Sequence, residues 1–294
     1  MPDRIPTTPR PRGLPGRLAA GLLAAALGLA LSAAPAAACG GPEVRCAVAG
    51  GEYLLLMPEG AAGPVPALLF LHGWGSSPEG ALRRLSGGFR AAAEAGMAVI
   101  LPEGVPRAGR RPKDWAVRDG RPHPRDDFAF LDTVMADAAR RGVARGQVLL
   151  SGFSRGGSFV WDIACARPGF AAAYAPLAGA FWEPLPGGCA GPVALHHTHG
   201  WTDRVVPLEG RSFRGGAVVQ GDVFASLKLM RETLGCAGRQ PEEAGTGGRW
   251  QRRWLACRNG RLELWLHPGG HGAPPGWMET VIGWFQGLRR ASAE

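Results

Sequence analysis

Two hydrophobic patterns alternate along the chain, and their order predicts the architecture. Short apolar runs recur at residues 52–57 (EYLLLM), 67–71 (ALLFL), 97–101 (MAVIL), 147–150 (QVLL), 170–175, 193–197 and 262–266 (LELWL). Runs of this length without polar alternation fit strands covered on both faces, as in a parallel sheet. Between them lie longer segments with helical spacing at 78–95, 126–140, 156–166, 222–234 and 278–290. In the segment 126–140, Phe130, Val134 and Ala138 fall on one side, Asp126 and Asp127 open it, and Arg140 and Arg141 close it, which suits the helix dipole. The segment 222–234 stops at Gly235, a usual helix terminator. Strands alternating with helices predict βαβ units: an α/β fold with a mainly parallel central sheet and helices on both faces. Chemistry in such sheets belongs to the loops after the strands.

The first 38 residues stand outside this pattern. Arg4, Arg10, Arg12 and Arg17 precede an Ala/Leu/Gly run over 18–34, which ends in Ala36-Ala37-Ala38. Basic, apolar and small-residue regions in that order read as a secretory signal peptide over 1–38, cut before Cys39. The run is short and Ala-rich for a span, which needs about 20 strongly apolar residues. The expectation is a single catalytic-size domain over 39–294, secreted or periplasmic, with no stable membrane insertion after cleavage. The leader holds four arginines and one aspartate, so the formal charge falls from +9 to +6 without it. The remaining arginines are scattered among acids. A nucleic-acid binder concentrates them beside stacking aromatics, so nucleic acid is not expected as a partner.

All six cysteines follow the leader: Cys39, Cys46, Cys165, Cys189, Cys236 and Cys257. None forms a C-x-x-C pair or a zinc-type cluster, so no metal and no cofactor is expected. An even number in an exported chain implies disulfides, and proximity favours Cys39–Cys46, Cys165–Cys189 and Cys236–Cys257. Lipidation of Cys39 competes with the first pairing. It would leave Cys46 without a partner, and Ala36 stands where a lipoprotein signal usually has Leu.

Chemistry enters with Gly152-Phe153-Ser154-Arg155-Gly156. A bare G-x-S-x-G is a weak signal in a glycine-rich chain. Here it directly follows the strand QVLL and opens a helix, the context of a nucleophile elbow. A serine hydroxyl needs a base, itself oriented by an acid, in the chain order Ser, acid, His. His271, in the GGHG loop after LELWL, is the expected base, and His267 at the strand end reads as structural. Asp203, in the HGWTD loop, is the expected acid. The loop Leu71-His72-Gly73-Trp74-Gly75 after ALLFL is placed to supply oxyanion donors: the N–H groups of Trp74 and Gly73, with that of Arg155. The His72 side chain has no expected chemical role. Trp115, Trp182, Trp201 and Trp277 fall in loops expected near the site and are candidates, with Trp74, for an apolar substrate pocket.

LFLHGWGSS, the Asp126-Asp127 pair, SGFSRGGSF, HGWTD and GGHG together resemble the secreted polyhydroxybutyrate-depolymerase and feruloyl-esterase-like group of α/β hydrolases, over nearly the whole of 39–294. The resemblance implies the α/β-hydrolase fold and a triad on Ser154, Asp203 and His271. It also implies a disulfide between Cys236 and Cys257. Trp74 and the stretch Ala273-Pro274-Pro275-Gly276-Trp277 depart from the group's pattern beside the acyl pocket. The expected activity is hydrolysis of carboxylic esters of hydroxyalkanoate or hydroxycinnamoyl type. A serine peptidase of the same fold and an inactive, ligand-binding hydrolase fold are the alternatives.

Overall fold

The computed structural model describes residues 39–238, 240–245 and 250–291. The expected signal peptide lies outside them. In chain order the strands are β1 (Cys46–Val48), β2 (Gly51–Leu56), β3 (Val65–Leu71), β4 (Ala98–Pro102), β5 (Val105–Pro106), β6 (Lys113–Asp114), β7 (Val143–Phe153), β8 (Ala173–Leu177), β9 (Ala194–Gly200), β10 (Arg211–Phe213), β11 (Val218–Gln220), β12 (Glu243–Gly245), β13 (Trp250–Trp254) and β14 (Arg261–His267). The helices are α1 (Pro78–Arg84), α2 (Ser86–Glu94), α3 (Asp127–Arg140), α4 (Arg155–Ala166), α5 (Val223–Leu234) and α6 (Trp277–Ala291).

The main sheet runs β1-β2-β4-β3-β7-β8-β9-β14-β13-β12. Its centre, from β4 to β14, is parallel, as the unbroken apolar runs predict. Antiparallel neighbours finish each edge, β2 and β1 on one side and β13 and β12 on the other. Successive strand residues point to opposite faces, and both faces are covered. Ala67, Leu69 and Leu71 of β3 join a core with Phe130, Leu131 and Val134 of α3 and with Phe159 and Val160 of α4. Leu68 and Phe70 join a second core with Phe89 of α2 and with Val281, Ile282 and Phe285 of α6. The sequence and the sheet together describe an α/β-hydrolase architecture.

Local details differ from expectation for identifiable reasons. The helix expected over 78–95 is two helices, broken at Leu85 (φ −117°, ψ 29°), because α2 opens on Ser86-Gly87-Gly88, weak helix formers. The strand expected over 170–175 begins at Ala173; the Phe170 N–H is taken by the Arg167 carbonyl in a turn. The edge strands β12 and β13 were not expected, because charged residues interrupt their pattern. Asp126 caps α3 by accepting from the Phe128 and Ala129 N–H groups, and Gly235 closes α5 in the left-handed conformation.

Three disulfides join Cys39 to Cys46, Cys165 to Cys189 and Cys236 to Cys257, the pairs nearest in sequence. No helix among the described residues is long and apolar enough to cross a membrane.

Candidate active site

Parallel strands all end at the same side of the sheet, so the loops after β3, β7, β9 and β14 meet there. Ser154 sits at the end of β7 and the start of α4. Its backbone is left-handed at φ 56°, ψ −116°, strain that a non-glycine residue holds only where its surroundings force it. Its amide donates to the Leu177 carbonyl of β8 at 2.9 Å, and its carbonyl accepts the Ser158 N–H at 2.8 Å. A Cβ on Gly156 would stand 2.1 Å from the Leu71 carbonyl oxygen, so only glycine lets α4 start this close to β3. Although Ser154 occupies the cap position of α4, its side chain makes no capping bond.

Asp203, in the loop after β9, is buried, and its carboxylate is held from several sides. Oδ1 accepts the N–H groups of Val205 and Val206, each at 2.8 Å. Nδ1 of His271 donates to Oδ2 at 2.7 Å. Nε2 of His199 lies 3.4 Å from the same oxygen while donating to the Val206 carbonyl at 2.8 Å. Burial opposes ionisation of Asp203, but the bonds from His199, His271 and Val206 outweigh it and hold the carboxyl well below the ordinary range. A carboxylate can only accept, so Nδ1 of His271 carries the proton and its Nε2 is left as the acceptor. His267 braces the same loop: its Nδ1 accepts the Gly269 N–H at 3.1 Å, and its Nε2 donates to the Gly272 carbonyl at 3.2 Å. Burial lowers its pKa.

Gly73 lies against the elbow: a Cβ there would meet the Phe153 side chain at 3.2 Å and the Ser154 Cβ at 3.5 Å. The loop is fixed from behind. Buried His72 donates from Nδ1 to the Gly73 carbonyl at 2.8 Å and accepts the Gly104 N–H on Nε2 at 3.0 Å. Burial lowers its pKa, which keeps Nε2 an acceptor. Trp115 Nε1 donates to the His72 carbonyl at 2.8 Å.

Sequence reasoning missed a buried ion cluster under Ser154. Arg155 Nε donates to Asp114 Oδ1 at 2.6 Å, and its Nη2 donates to Asp119. Arg107 bridges the same two carboxylates at 2.8 and 3.2 Å, and Arg121 joins Asp119 at 2.5 Å. Burial raises the pKa of both acids, but the guanidiniums prevail and hold each below its usual value. The only available signal was the charge density of 107–121, which apolar periodicity does not report.

The expected tryptophan pocket needs correction. Trp115 is fully buried, stacked 6.0 Å from Phe159, and takes no part in a pocket. Trp277 is buried at the start of α6, where its Nε1 donates to Thr198 Oγ1 at 3.1 Å. Indoles of this size pack readily into a core once a partner takes the N–H. Trp201 is 56% exposed, packs against Trp250 at 5.7 Å and lines neither cavity at Ser154. Trp182 does line a cavity there. One cavity, of about 470 Å³, includes Arg155, Trp182 and Phe213; another, of about 510 Å³, includes Phe70, Leu85, Phe153 and His271. Trp74, Val205 and Ser154 line both, so the serine stands where the two meet.

No protein-family model matches the chain. It is 29% identical over 182 residues to feruloyl esterase D of Neurospora crassa, covering 60% of this chain and 53% of that protein. It thus spans about half the length of that relative. It is also 29% identical over 239 residues to feruloyl esterase C of Emericella nidulans, covering 77% of this chain and 78% of that one. Among solved structures, the acetyl xylan esterase of Aspergillus awamori superposes with a TM-score of 0.57 at 12% identity, over 81% of this chain and 94% of that one. The fold is that of the α/β hydrolases, and the resemblance to a feruloyl-esterase-like group extends along most of the chain.

Proposed function

We propose that this α/β-hydrolase chain is a carboxylic ester hydrolase working through an acyl-enzyme on Ser154. Ser154 Oγ attacks the ester carbonyl as its proton passes to Nε2 of His271. The tetrahedral intermediate collapses, and the proton passes to the departing alcohol. Water then repeats the sequence on the acyl-enzyme and releases the acid. Asp203 holds the imidazole in the required tautomer and stabilises it when protonated. The Arg155 N–H, first in α4 and without an intrahelical partner, joins the N–H groups of Gly73 and Trp74 as donors to the oxyanion. One observation carries the reading: the 2.7 Å bond from His271 Nδ1 to buried Asp203, with His271 lining the same cavity as a serine held in strained backbone. The names of the sequence relatives support ester chemistry. Hydroxycinnamoyl and hydroxyalkanoate esters are the classes to begin from, because flat or short acyl groups suit a cavity walled by Trp182 and Phe213.

Export fits the same reading. The leader pattern and three disulfides belong to an oxidising compartment, periplasmic or extracellular.

The test is Ser154→Ala. Loss of the nucleophile leaves only the thousand-fold or so over water that binding and oxyanion donors supply, orders of magnitude below the intact enzyme. Turnover of p-nitrophenyl esters and labelling by a fluorophosphonate should both vanish while the circular dichroism spectrum is unchanged. A variant keeping more than about a hundredth of kcat would remove Ser154 from the mechanism.

A further inference from the structure

The cavity on the Arg155 side of Ser154 is rich in positive charge, from buried Arg155, half-buried Arg121 and the exposed Arg110, Arg211 and Arg214. Its lining includes Arg110, Arg121, Arg155, Arg211 and Arg214 against one carboxylate, Asp114. That carboxylate is already paired with Arg107 and Arg155. In the buried cluster beneath, three guanidiniums face two carboxylates, so the pairing leaves a positive remainder. The opposite wall is the hairpin of β10 and β11. Arg211 donates there only to neutral oxygens, Gln220 Oε1 at 3.2 Å and the Arg204 carbonyl at 3.1 Å. Arg214, at the hairpin's turn, is held in left-handed backbone at φ 51°. Among the described residues, no carboxylate pairs with Arg110, Arg211 or Arg214.

Flat apolar surface joins these charges. The Arg155 guanidinium lies 4.6 Å from the Trp182 ring centre; Trp182 stacks on Phe213 at 5.9 Å, 23° from parallel. Arg211 covers Phe213 at 4.3 Å. Guanidiniums on aromatic faces are less hydrated and keep their forked donors presented, the arrangement that binds a carboxylate through two bonds. The cavity therefore offers an apolar slot beside guanidiniums that no carboxylate neutralises.

We infer that this cavity takes the acyl half of the ester, and that the acyl group carries a distal carboxylate. The substrate class is then the half-ester of a dicarboxylic acid with a flat or short apolar spacer. The orientation rests on the catalytic reading proposed above. His271 must protonate the leaving oxygen, and it lines the other cavity, so the alcohol departs on that side and the acyl group occupies this one.

The experiment compares kcat/KM for the mono-p-nitrophenyl esters of terephthalic and adipic acids with their methyl-capped diesters. The leaving group is common, so the ratio reads the distal group alone. The free carboxylate should be favoured roughly tenfold or more, mainly through KM, with the preference shrinking as salt rises. In an Arg211→Gln/Arg214→Gln double variant the ratio should fall towards one. Arg90→Gln, an exposed charge on α2, should keep it. The ratio does not depend on the fraction of enzyme that is folded. Equal rates for free and capped esters, or a preference surviving in the double variant, overturns the inference. So does a stronger preference for a carboxylate placed on the alcohol half. If no ester is turned over, the hydrolase reading fails instead. Calorimetric binding of monomethyl terephthalate to Ser154→Ala protein then decides the cavity by itself: binding lost in the double variant supports it, and no binding overturns it.

Discussion

At Asp203 a turn-forming role and the proposed catalytic one coincide. Oδ1 closes the turn onto Val205 and Val206, and Oδ2 receives His271. Replacing the acid with its amide separates the two. The amide oxygen can still accept from the turn, but the NH2 beside it lets the imidazole adopt the wrong tautomer. Asp203→Asn is expected to lower kcat by up to about four orders of magnitude, and to lower the melting temperature as well, because the fold favours the ionised carboxylate that the amide lacks. The two histidines of the last loop divide in the same way. His271→Ala should remove nearly all turnover. His267→Ala should retain the chemistry but lose about 1–3 kcal/mol of stability, because the Gly269 N–H loses its acceptor. Steady-state kinetics and urea denaturation on the two variants check the division; an active His271→Ala enzyme would place the base elsewhere.

At the scale of elements, α4 presents Ser154 at one end and buries a carboxylic acid in its middle. Asp162 Oδ2 accepts the Arg118 N–H at 2.9 Å, and burial pushes its pKa from 3.8 up to about 7. The folded value is the higher one, so the folded state favours the protonated acid. The stability this group contributes is complete below about pH 3.8 and is lost as pH rises through about 7. Asp162→Asn does not titrate. Its stability relative to the native chain should therefore improve across that interval, by a few kcal/mol in all, and level off above it. Urea denaturation of both proteins through the interval measures the change. A constant difference would mean that Asp162 is ionised in the folded chain at every pH tested. The break between α1 and α2 belongs to the same scale: the hydrophobic spacing runs through 78–95, and weak helix formers at the junction divide it.

Across the whole molecule, the disulfides fasten peripheral segments to the central sheet's helices and strands. Cys165–Cys189 ties the end of α4 to the loop before β9 across 24 residues. Closing a loop of that size restricts the unfolded chain by about 3 kcal/mol. The Cys165→Ala/Cys189→Ala pair should therefore melt roughly 6–12 °C below the native chain. Thermal denaturation with intact activity at low temperature is the expected result. An unchanged melting point would show that the bridge constrains nothing that the core does not already hold.

The chain order of elements and the strand–turn–helix setting of Ser154, the proposed nucleophile, were legible from sequence alone, because both depend on local features. Unbroken apolar runs such as ALLFL have few destinations other than a strand covered on both faces. The G-x-S-x-G turn needs small residues on both sides of the serine, whatever lies elsewhere in the chain. Cysteine pairing by proximity also matches the structure. Only tertiary structure decided what the remote polar and aromatic residues do. Trp115 and Trp277 have the same composition signal as Trp182, yet two fill cores and one walls a cavity. Arg155, Asp114 and Asp119 meet from positions up to 41 residues apart, and His199 supports Asp203 from inside β9. Periodicity records which face of an element is apolar, and the strand order points to the loops at the carboxyl ends; it carries no information about which remote charges and rings meet there, and pairing of buried charges is settled only in the fold.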